Sequence, residues 1–516
     1  MNKYKWLAII ISTVVLIVSS SPIIYFSIHP NSGLKFLGRH FINSQDVYTY
    51  VSFIEQAKGG RNLFENLYTT EPQKPSLIRP SYVVIGKIAA LTNTTSIVAY
   101  HSARIIFGVL FLFVLYKFVG FFFKDEKTRF ISYTLILTSS GLGFLLFKWI
   151  PNSIDLWIPE ANTFLSLSEA PHFILSQMLE LLGFMAFLTY LKNKNAWLIL
   201  VSFLSFLLLS FEHPFNLIVI VPVIILTGIL TKTSWKTWLT FSIAPTIGLI
   251  FQYYLTSTNP TLALWQSQNI LTSPPPVSFI SGYGLLLILM IVTAENLLNA
   301  DKINSYYKFA LVWVAATGLL IYAPISFQRR LIEGVHIPIV LLATYGLVVI
   351  FRKHKLKYQT LIIAGIIAIL AGTSFFSIYN DFTVIGNDKS DNYYYHIAPE
   401  EEKAIAWLGS KTKPDDTILS SWYIGNIIPG MIGRKVYLGH KIQTVDWDAK
   451  NRELDDFVLN GNPTKSDKFL RDNGIKYMFL GKNDVLLQNG FNAKYHTDLK
   501  LVYNEGEVSI YQVLGN

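Results

Sequence analysis

The 516-residue sequence contains no cysteine, and only 15% of its residues are charged, against roughly a quarter in a typical soluble domain. Without cysteine the chain can form no disulfide, no zinc–thiolate site and no thiol nucleophile. Hydrophobic residues make up 51% of the sequence, so most of it is expected to lie in lipid. It also lacks an evident internal repeat, which disfavours transporters built from repeats.

Basic residues, by contrast, are in excess and give a formal net charge of +10. Such an excess can indicate nucleic-acid binding in a soluble protein. Here the basic residues fall on alternate short connections between hydrophobic runs, such as 124–129 and 352–357. This pattern predicts a cytoplasmic N-terminus, a multi-pass membrane protein and no nucleic-acid partner. About eleven runs are long enough to form transmembrane helices, near 6–28, 96–122, 130–149, 172–191, 196–212, 214–231, 237–255, 279–297, 307–325, 333–351 and 358–379.

The composition changes near residue 380, where the hydrophobic runs end. The sequence therefore predicts an all-α membrane domain, 1–379, with a long first external loop at 29–95, and a soluble domain at 380–516. A helix over Pro399–Gly409, strands at 417–420 and 475–480, a helix ending near Gly474 and a final hairpin predict a small α/β fold. Eleven spans place this domain outside the cytoplasm. Gly425 and Gly430 are predicted to be turn residues.

Asp46, early in the first external loop, is the best candidate for a general base. One carboxylate suffices for a single displacement with inversion, whereas glycoside hydrolysis uses two. If 44–58 is helical, Glu55 follows about two turns later. The alternative for Asp46 is a helix-capping role.

Arg329 and Arg330 are the predicted donor-phosphate ligands, because guanidinium groups bind phosphate oxygens bidentately. Paired arginines are unfavourable on an external connection unless something holds them there. The alternatives are a salt bridge to Glu333 or contact with lipid phosphates. Six polar residues of the external connections are candidates for a substrate cleft: Glu160, Asn162, His172, His213, Gln328 and His336.

The acid and imidazole groups of this set match no defined metal-binding spacing, so no metal ligand is assigned, although binding of a divalent cation stays open. Each histidine has the alternative of being a simple hydrogen-bonded residue. Glu180 lies within a predicted span, where an ionisable group is costly and indicates function. Its alternative is pairing with Arg104 or His101.

Four stretches resemble the GT-C superfamily of integral-membrane glycosyltransferases, in particular its bacterial mannosyl- and arabinosyltransferase-like group. They are Gln45–Leu91, Leu156–Phe164, Phe327–Arg330 and Gly433–His440. The resemblance implies a polyprenyl-phosphate sugar donor, an inverting mechanism and a catalytic acid in the first external loop, which here is Asp46. Many members carry paired acids there, whereas Val47 follows Asp46 in this chain. Glu160 is then the candidate for a second acid.

The sequence thus predicts an inverting hexosyl- or pentosyltransferase in a bacterial inner membrane. It would transfer a sugar from a polyprenyl-phosphate lipid to a glycan, lipid or protein acceptor on the extracytoplasmic face. Two alternatives stay open: a transporter or flippase of lipid-linked sugars, and a non-enzymatic membrane assembly protein.

Overall fold

The computed structural model describes residues 2–298, 303–355, 357–459, 463–484, 491–492, 496 and 498–514. The chain forms two compact units. The first consists of Met1–Ser21, Ala103–Leu255 and Ile270–Asn380, and the second of Pro22–Ser102, Thr256–Asn269 and Asp381–Asn516. The second unit therefore contains both the loop after the first helix and the C-terminal region.

Helices make up most of both units. In chain order they are α1 Lys3–Ile28, α2 Ser44–Lys58, α3 Pro80–Thr92, α4 Ser96–Phe122, α5 Glu126–Thr138, α6 Gly143–Leu146, α7 Thr163–Glu169, α8 Pro171–Asn193, α9 Trp197–Glu212, α10 Asn216–Leu230 and α11 Trp235–Thr258. There follow α12 Pro260–Gln268, α13 Pro276–Tyr283, α14 Leu285–Leu298, α15 Ser305–Leu320, α16 His336–His354, α17 Gln359–Leu370, α18 Gly372–Gly386, α19 Pro399–Lys411, α20 Trp422–Ile432, α21 Trp447–Leu459 and α22 Pro463–Asp472. Short 3₁₀ turns occupy Ile154–Leu156, Pro159–Ala161 and Gln328–Ile332.

Within the described residues, six helical segments are long and apolar enough to cross a membrane. They are Lys3–Ile28, Ser96–Phe122, Glu126–Leu146, Pro171–Asn193, His336–His354 and Gln359–Gly386. A seventh results if α13 and the following helix, which meet at an 89° bend, count as one span. These segments indicate a multi-pass membrane protein. The predicted eleven spans are not confirmed, because runs such as Trp197–Glu212 and Asn216–Leu230 form helices shorter than the roughly 20 residues that a bilayer requires.

Local sequence explains where several helices begin. Asp125 caps α5, its carboxylate accepting the Thr128 N–H at 2.8 Å. Proline occupies the first turn of α8, α12 and α19, where a missing N–H costs nothing and the fixed φ suits the helix. In α19, three glutamates follow the proline and interact favourably with the positive end of the helix dipole.

The C-terminal region contains a five-stranded mixed sheet. Its strands, after the short β1 Lys35–Phe36 and β2 His396–Ile397 pair, are β3 Thr417–Leu419, β4 Lys435–Val436, β5 Ile475–Leu480, β6 Leu499–Glu505 and β7 Val508–Val513. The sheet order is β4-β3-β5-β7-β6, with β3 parallel to both neighbours and the β6–β7 hairpin antiparallel. Leu419, Leu470 and Met478 lie in the core on this sheet. The predicted small sheet domain is thus present.

Two glycines allow helix α20 to approach its neighbours closely. A Cβ on Gly425 would lie 2.0 Å from the carbonyl oxygen of Leu438, and one on Gly430 would lie 2.6 Å from the ring of Tyr48 in α2. Both glycines lie inside the helix, so the prediction that they are turn residues is wrong. Their function is to allow backbones to pack where a side chain would clash.

Candidate active site

Asp46 lies in the first turn of α2, within the second unit. The helix begins at Ser44 and its N-cap is Asn43, so the predicted alternative in which Asp46 caps the helix is wrong. A carboxylate in the first turn interacts favourably with the helix dipole. About a third of the side chain, 36%, is accessible. Asp46 is therefore held by the helix yet open to a second molecule.

The histidine that contacts Asp46 comes from the C-terminal region. His440 Nε2 lies 2.7 Å from Asp46 Oδ1, although the two residues are 394 positions apart. The imidazole is only 3% exposed and packs edge-on against the ring of Tyr68, with ring centroids 6.1 Å apart. No sequence pattern singled out His440, which ends the stretch Gly433–His440.

Backbone contacts determine the tautomer of His440. Its Nδ1 accepts the N–H of Ile442 at 3.0 Å and lies 3.3 Å from the N–H of Gln443. A nitrogen that accepts backbone hydrogen bonds carries no proton, which places the ring proton on Nε2. Nε2 therefore donates to the carboxylate. This hydrogen bond orients the Asp46 carboxylate. Because Nδ1 already accepts backbone N–H groups, the His440 ring has no free nitrogen for a second proton.

A second link between the Asp46 helix and the C-terminal region is formed by Asn426. Its side-chain amide donates to the carbonyl of Gln45 at 3.3 Å, and its Oδ1 accepts from Arg39 Nη2 at 2.5 Å. The backbone carbonyl of Asn426 accepts the Tyr68 hydroxyl at 3.1 Å. The backbone beside Asp46 is thus anchored by hydrogen bonds.

Arg39 is fully buried and lies among three tyrosine rings. Its guanidinium carbon is 4.8 Å from the ring centroid of Tyr48, 5.1 Å from that of Tyr394 and 5.9 Å from that of Tyr423. No carboxylate forms an ion pair with it in the described part of the chain. Burial raises the pKa of Tyr48 to about 12, so the ring stays neutral and stabilises the cation through its π face.

Glu55, the other acid of α2, faces elsewhere. Nine residues at 100° each place it on the side of the helix opposite Asp46. Its carboxylate accepts the hydroxyl of Ser96, and burial raises its pKa. Glu55 therefore does not form a paired-carboxylate site with Asp46.

The other predicted site residues lie in the first unit. Arg329 and Arg330 belong to the 3₁₀ turn Gln328–Ile332. The guanidinium of Arg329 lies 4.7 Å from the ring of Trp157, and that of Arg330 lies 5.0 Å from the ring of Phe215. Stacking fixes the plane of a guanidinium while its N–H groups point outward in that plane, the geometry that suits phosphate oxygens.

A buried acid–histidine pair lies in the same unit. His213 Nδ1 contacts both Glu333 and Asn216 Oδ1, the latter at 2.9 Å. Both members of the ion pair are fully buried. Burial raises the pKa of Glu333, the interaction with His213 opposes that rise, and smaller effects come from Glu160, which raises the pKa, and Arg330, which lowers it. The structure thus brings together three predicted residues, Glu160, His213 and Arg330, around an acid that was predicted only as an alternative partner of the arginines.

Two further polar groups extend this buried cluster. The ring of His172 lies 6.2 Å from that of His213. Glu180 lies beside Gly334, where a Cβ would come within 2.4 Å of its Oε2. Neither carboxylate oxygen of Glu180 has a hydrogen-bond partner among the described residues. Arg104 donates instead to the carbonyls of Leu167 and Ser168, so the predicted pair with Glu180 is not formed.

The remaining three candidates already have structural partners. Asn162 caps α7, its side chain accepting the Leu165 N–H at 2.8 Å. Gln328 donates to the carbonyl of Ala323 in its own loop and accepts the N–H of Ser273 from the loop before α13. His336 contacts the hydroxyls of Thr163 and Ser139 at 3.1 and 3.3 Å. Their predicted substrate contacts stay predictions.

No group of three or more His, Asp or Glu side chains in the described residues has a geometry that could hold a metal ion. Asp46 and His440 supply two such side chains. The described residues therefore offer no preformed site for a divalent cation, and whether the protein binds one stays an open question.

Comparisons with known proteins identify the fold but not a family. No protein-family model matches the sequence, and no curated protein does. Among solved structures, the apo oligosaccharyltransferase of Archaeoglobus fulgidus matches with a TM-score of 0.57 and 12% identity, over 92% of this chain and 70% of that one. ArnT of Cupriavidus metallidurans, bound to undecaprenyl phosphate, matches with a TM-score of 0.55 and 11% identity, over 99% of this chain and 98% of that one.

The chain has the GT-C glycosyltransferase fold. The resemblance predicted from sequence is thereby confirmed for the fold. The same archaeal enzyme tethered to an acceptor peptide containing the NVT sequon matches equally well, with a TM-score of 0.57 over 92% of this chain and 69% of that one. At identities of 11–12% the likeness concerns the fold alone, and the site of this chain must be argued from its own residues.

Proposed function

We propose that this GT-C chain is a membrane glycosyltransferase that transfers a sugar from a polyprenyl-phosphate donor, with Asp46 as general base. The observation that carries the proposal is the partly exposed Asp46 held at one oxygen by a histidine of fixed tautomer. A base must be both oriented and accessible to the proton that it removes. The bound lipid of ArnT and the tethered peptide of the oligosaccharyltransferase support a lipid-linked donor and a separate acceptor.

The proposed reaction is a single displacement with inversion. Asp46 takes the proton of the acceptor nucleophile as that atom forms a bond to the anomeric carbon. The bond from the anomeric carbon to the phosphate oxygen breaks, and the polyprenyl phosphate leaves with the electron pair. The proton ends on Asp46, and no second acid is required because a phosphate is a good leaving group.

Arg329 and Arg330 are the proposed ligands of the departing phosphate. Their stacking on Trp157 and Phe215 supports this role, because an oriented guanidinium loses less entropy when it binds an anion. The role is independent of the Asp46 assignment. It predicts weaker donor binding in Arg330→Lys, which keeps the charge and removes the fork.

The decisive experiment compares two acids of the same helix. Purified protein would be given a labelled polyprenyl-phospho-sugar and a panel of acceptors, and transfer would be followed by thin-layer chromatography. Asp46→Asn should lower the rate of transfer about 10³-fold, while Glu55→Gln, on the opposite face of α2, should preserve it. Transfer by Asp46→Asn at the wild-type rate would remove Asp46 from the mechanism.

The proposed location is a bacterial inner membrane, with the N-terminus inside and the C-terminal region outside. The alternating basic connections support this topology. Because the sequence has no cysteine, single cysteines can report it without background. Lys355→Cys should be labelled by a membrane-impermeant maleimide only in inverted vesicles, and Asp415→Cys only in intact cells.

A flippase of lipid-linked sugars is the second candidate. It is favoured by the buried carboxylate of Glu180, which has no hydrogen-bond partner among the described residues, and by the 89° bend between α13 and α14. Broken helices and ionisable groups within the membrane mark transport paths. Proteoliposomes containing a fluorescent polyprenyl-phospho-sugar distinguish the two. Flipping that survives in Asp46→Asn and is lost in Glu180→Gln would favour transport over transfer.

A further inference from the structure

A small pocket in the first unit lies outside all the sites described above. It is formed where α5 begins, where α16 ends and where α17 begins, and its volume is about 200 Å³. Its polar lining comes from Lys127, Thr128, Arg352 and Gln359. All three helices belong to segments that are long and apolar enough to cross a membrane. The pocket therefore lies at the level where such segments meet the membrane surface.

The acids near this pocket make their direct contacts with other groups. Neither Lys127 nor Arg352 forms an ion pair with any described residue. Of the nearby acids, Glu126 contacts Lys5 and Arg129, and Asp125 caps the helix through Thr128. Asp125 interacts with Lys127 through its charge, but without forming a salt bridge. Two positive charges with no salt bridge among the described residues attract an anion to this pocket, and more strongly at a membrane surface than in bulk water.

The rest of the lining is apolar except for Thr344, whose hydroxyl donates to the carbonyl of Val340 at 2.8 Å. Ile131, Leu347, Phe351 and Ile363 contribute to it, and Leu347, Phe351 and Ile363 are buried. A free inorganic ion would gain nothing from these walls. A molecule with an anionic head and hydrocarbon chains would satisfy both halves, because its head would contact the cations and its chains would follow the apolar helix surfaces.

We propose that this pocket binds the headgroup of an anionic phospholipid of the surrounding bilayer. The volume supports a headgroup rather than a whole ligand, since pockets that enclose a drug-sized molecule measure roughly 300–1,000 Å³. The phosphate would accept from Lys127 and Arg352, with the side-chain amide of Gln359 able to donate to the glycerol oxygens. Under the predicted topology the lipid belongs to the cytoplasmic leaflet. The proposal does not rest on the glycosyltransferase function.

Native mass spectrometry of the full chain released from nanodiscs tests it directly. The nanodiscs would contain equal amounts of dioleoyl-phosphatidylglycerol and dioleoyl-phosphatidylcholine. The wild-type chain should retain phosphatidylglycerol in preference to phosphatidylcholine. The double variant Lys127→Gln/Arg352→Gln should lower the retained phosphatidylglycerol by roughly 25-fold, at about fivefold for each cation removed near a membrane surface.

A matched control removes the same charge from the same region. Lys353 and Lys357 are exposed and do not line the pocket, so Lys353→Gln/Lys357→Gln should retain phosphatidylglycerol within about twofold of wild type. Thermal unfolding would be measured for every variant, and Ile363→Glu, which acidifies the wall without removing a cation, provides a second disruption. It should also release the lipid.

Three outcomes would overturn the proposal. The first is equal loss of lipid in the pocket and control variants, which would indicate a diffuse surface charge. The second is equal retention of both lipids by the wild-type chain. The third is displacement of phosphatidylglycerol by millimolar glycerol phosphate, which would indicate a site for a free phosphate ester.

Discussion

Two of the acid–histidine pairs in the described residues, Asp46–His440 and Glu333–His213, have the same chemistry in different surroundings. In the second unit, Asp46 is partly exposed and His440 has a partner at each ring nitrogen. In the first unit, Glu333 and His213 are fully buried, and His213 Nε2 has no hydrogen-bond partner among the described residues. An accessible carboxylate can exchange a proton with a second molecule, whereas a buried one chiefly determines stability. We therefore expect substitutions in the exposed pair to lower activity and substitutions in the buried pair to lower stability.

The largest expected effect is on activity at the exposed pair. Asp46→Asn removes the proposed base but keeps the size of the side chain, so transfer should fall about 10³-fold, within the range of general-base catalysis. Single-turnover rates with a labelled lipid donor would measure it. Glu55→Gln should change the rate less than threefold, and an equal loss in both variants would point to damage to α2 rather than to catalysis.

The next effect is on stability at the buried pair. His213→Ala leaves Glu333 buried without its partner, which should lower the free energy of unfolding by about 3–5 kcal/mol. Guanidinium unfolding in detergent, followed by tryptophan fluorescence, would measure it. The double variant His213→Ala/Glu333→Gln should recover much of the loss. A loss of 1 kcal/mol or less in His213→Ala would contradict the assignment of the pair as a buried ion pair.

A smaller effect separates orientation from packing at His440. His440→Phe keeps a ring against Tyr68 but removes the N–H that orients Asp46, so kcat should fall by up to about 10²-fold with KM nearly unchanged. His440→Gln, which retains a donor, should recover part of the rate. If both variants lost stability and rate together, His440 would be a packing residue only.

The smallest effect is the pH dependence of stability at the buried pair. Burial raises the pKa of Glu333 in the folded protein, so the folded state binds a proton more tightly than the unfolded state does. The contribution of this group is therefore greatest below the unfolded pKa and is lost as pH rises through the folded pKa. Thermal unfolding midpoints between pH 4 and 8 should fall less steeply in Glu333→Gln than in the wild type. Parallel profiles would show that another group dominates.

Secondary structure was predictable wherever the signal was local. Proline and three glutamates predict the start of α19, and Gly474 predicts the end of the helix before β5. The helix 44–58, which entered the sequence-based prediction only as a condition for the position of Glu55, is present with those bounds. Such short-range patterns predict that a helix exists. They do not predict how many helices span the membrane, because a helix can bend or end within a hydrophobic stretch whose composition does not change.

Gly425 and Gly430 show the limit of local patterns. Glycine favours turns in isolation, and only the approach of Leu438 and Tyr48 explains why both lie within a helix. Likewise Asn162 and Gln328 looked like cleft residues because they are polar and lie on predicted external connections. In the structure Asn162 caps a helix and Gln328 braces a loop, functions that depend on neighbours not visible in sequence.

The sequence alone determined that much of the chain lies in lipid rather than in water, because long hydrophobic runs require a lipid environment however they pack. It also singled out Asp46, through its position after the first apolar run. Only the tertiary structure decided that His440 orients Asp46. Only the tertiary structure decided, too, that Glu333 pairs with His213 rather than with an arginine. Both contacts join residues far apart in the chain. Pairings of this kind depend on how buried faces pack against one another, and composition and periodicity carry no record of that packing.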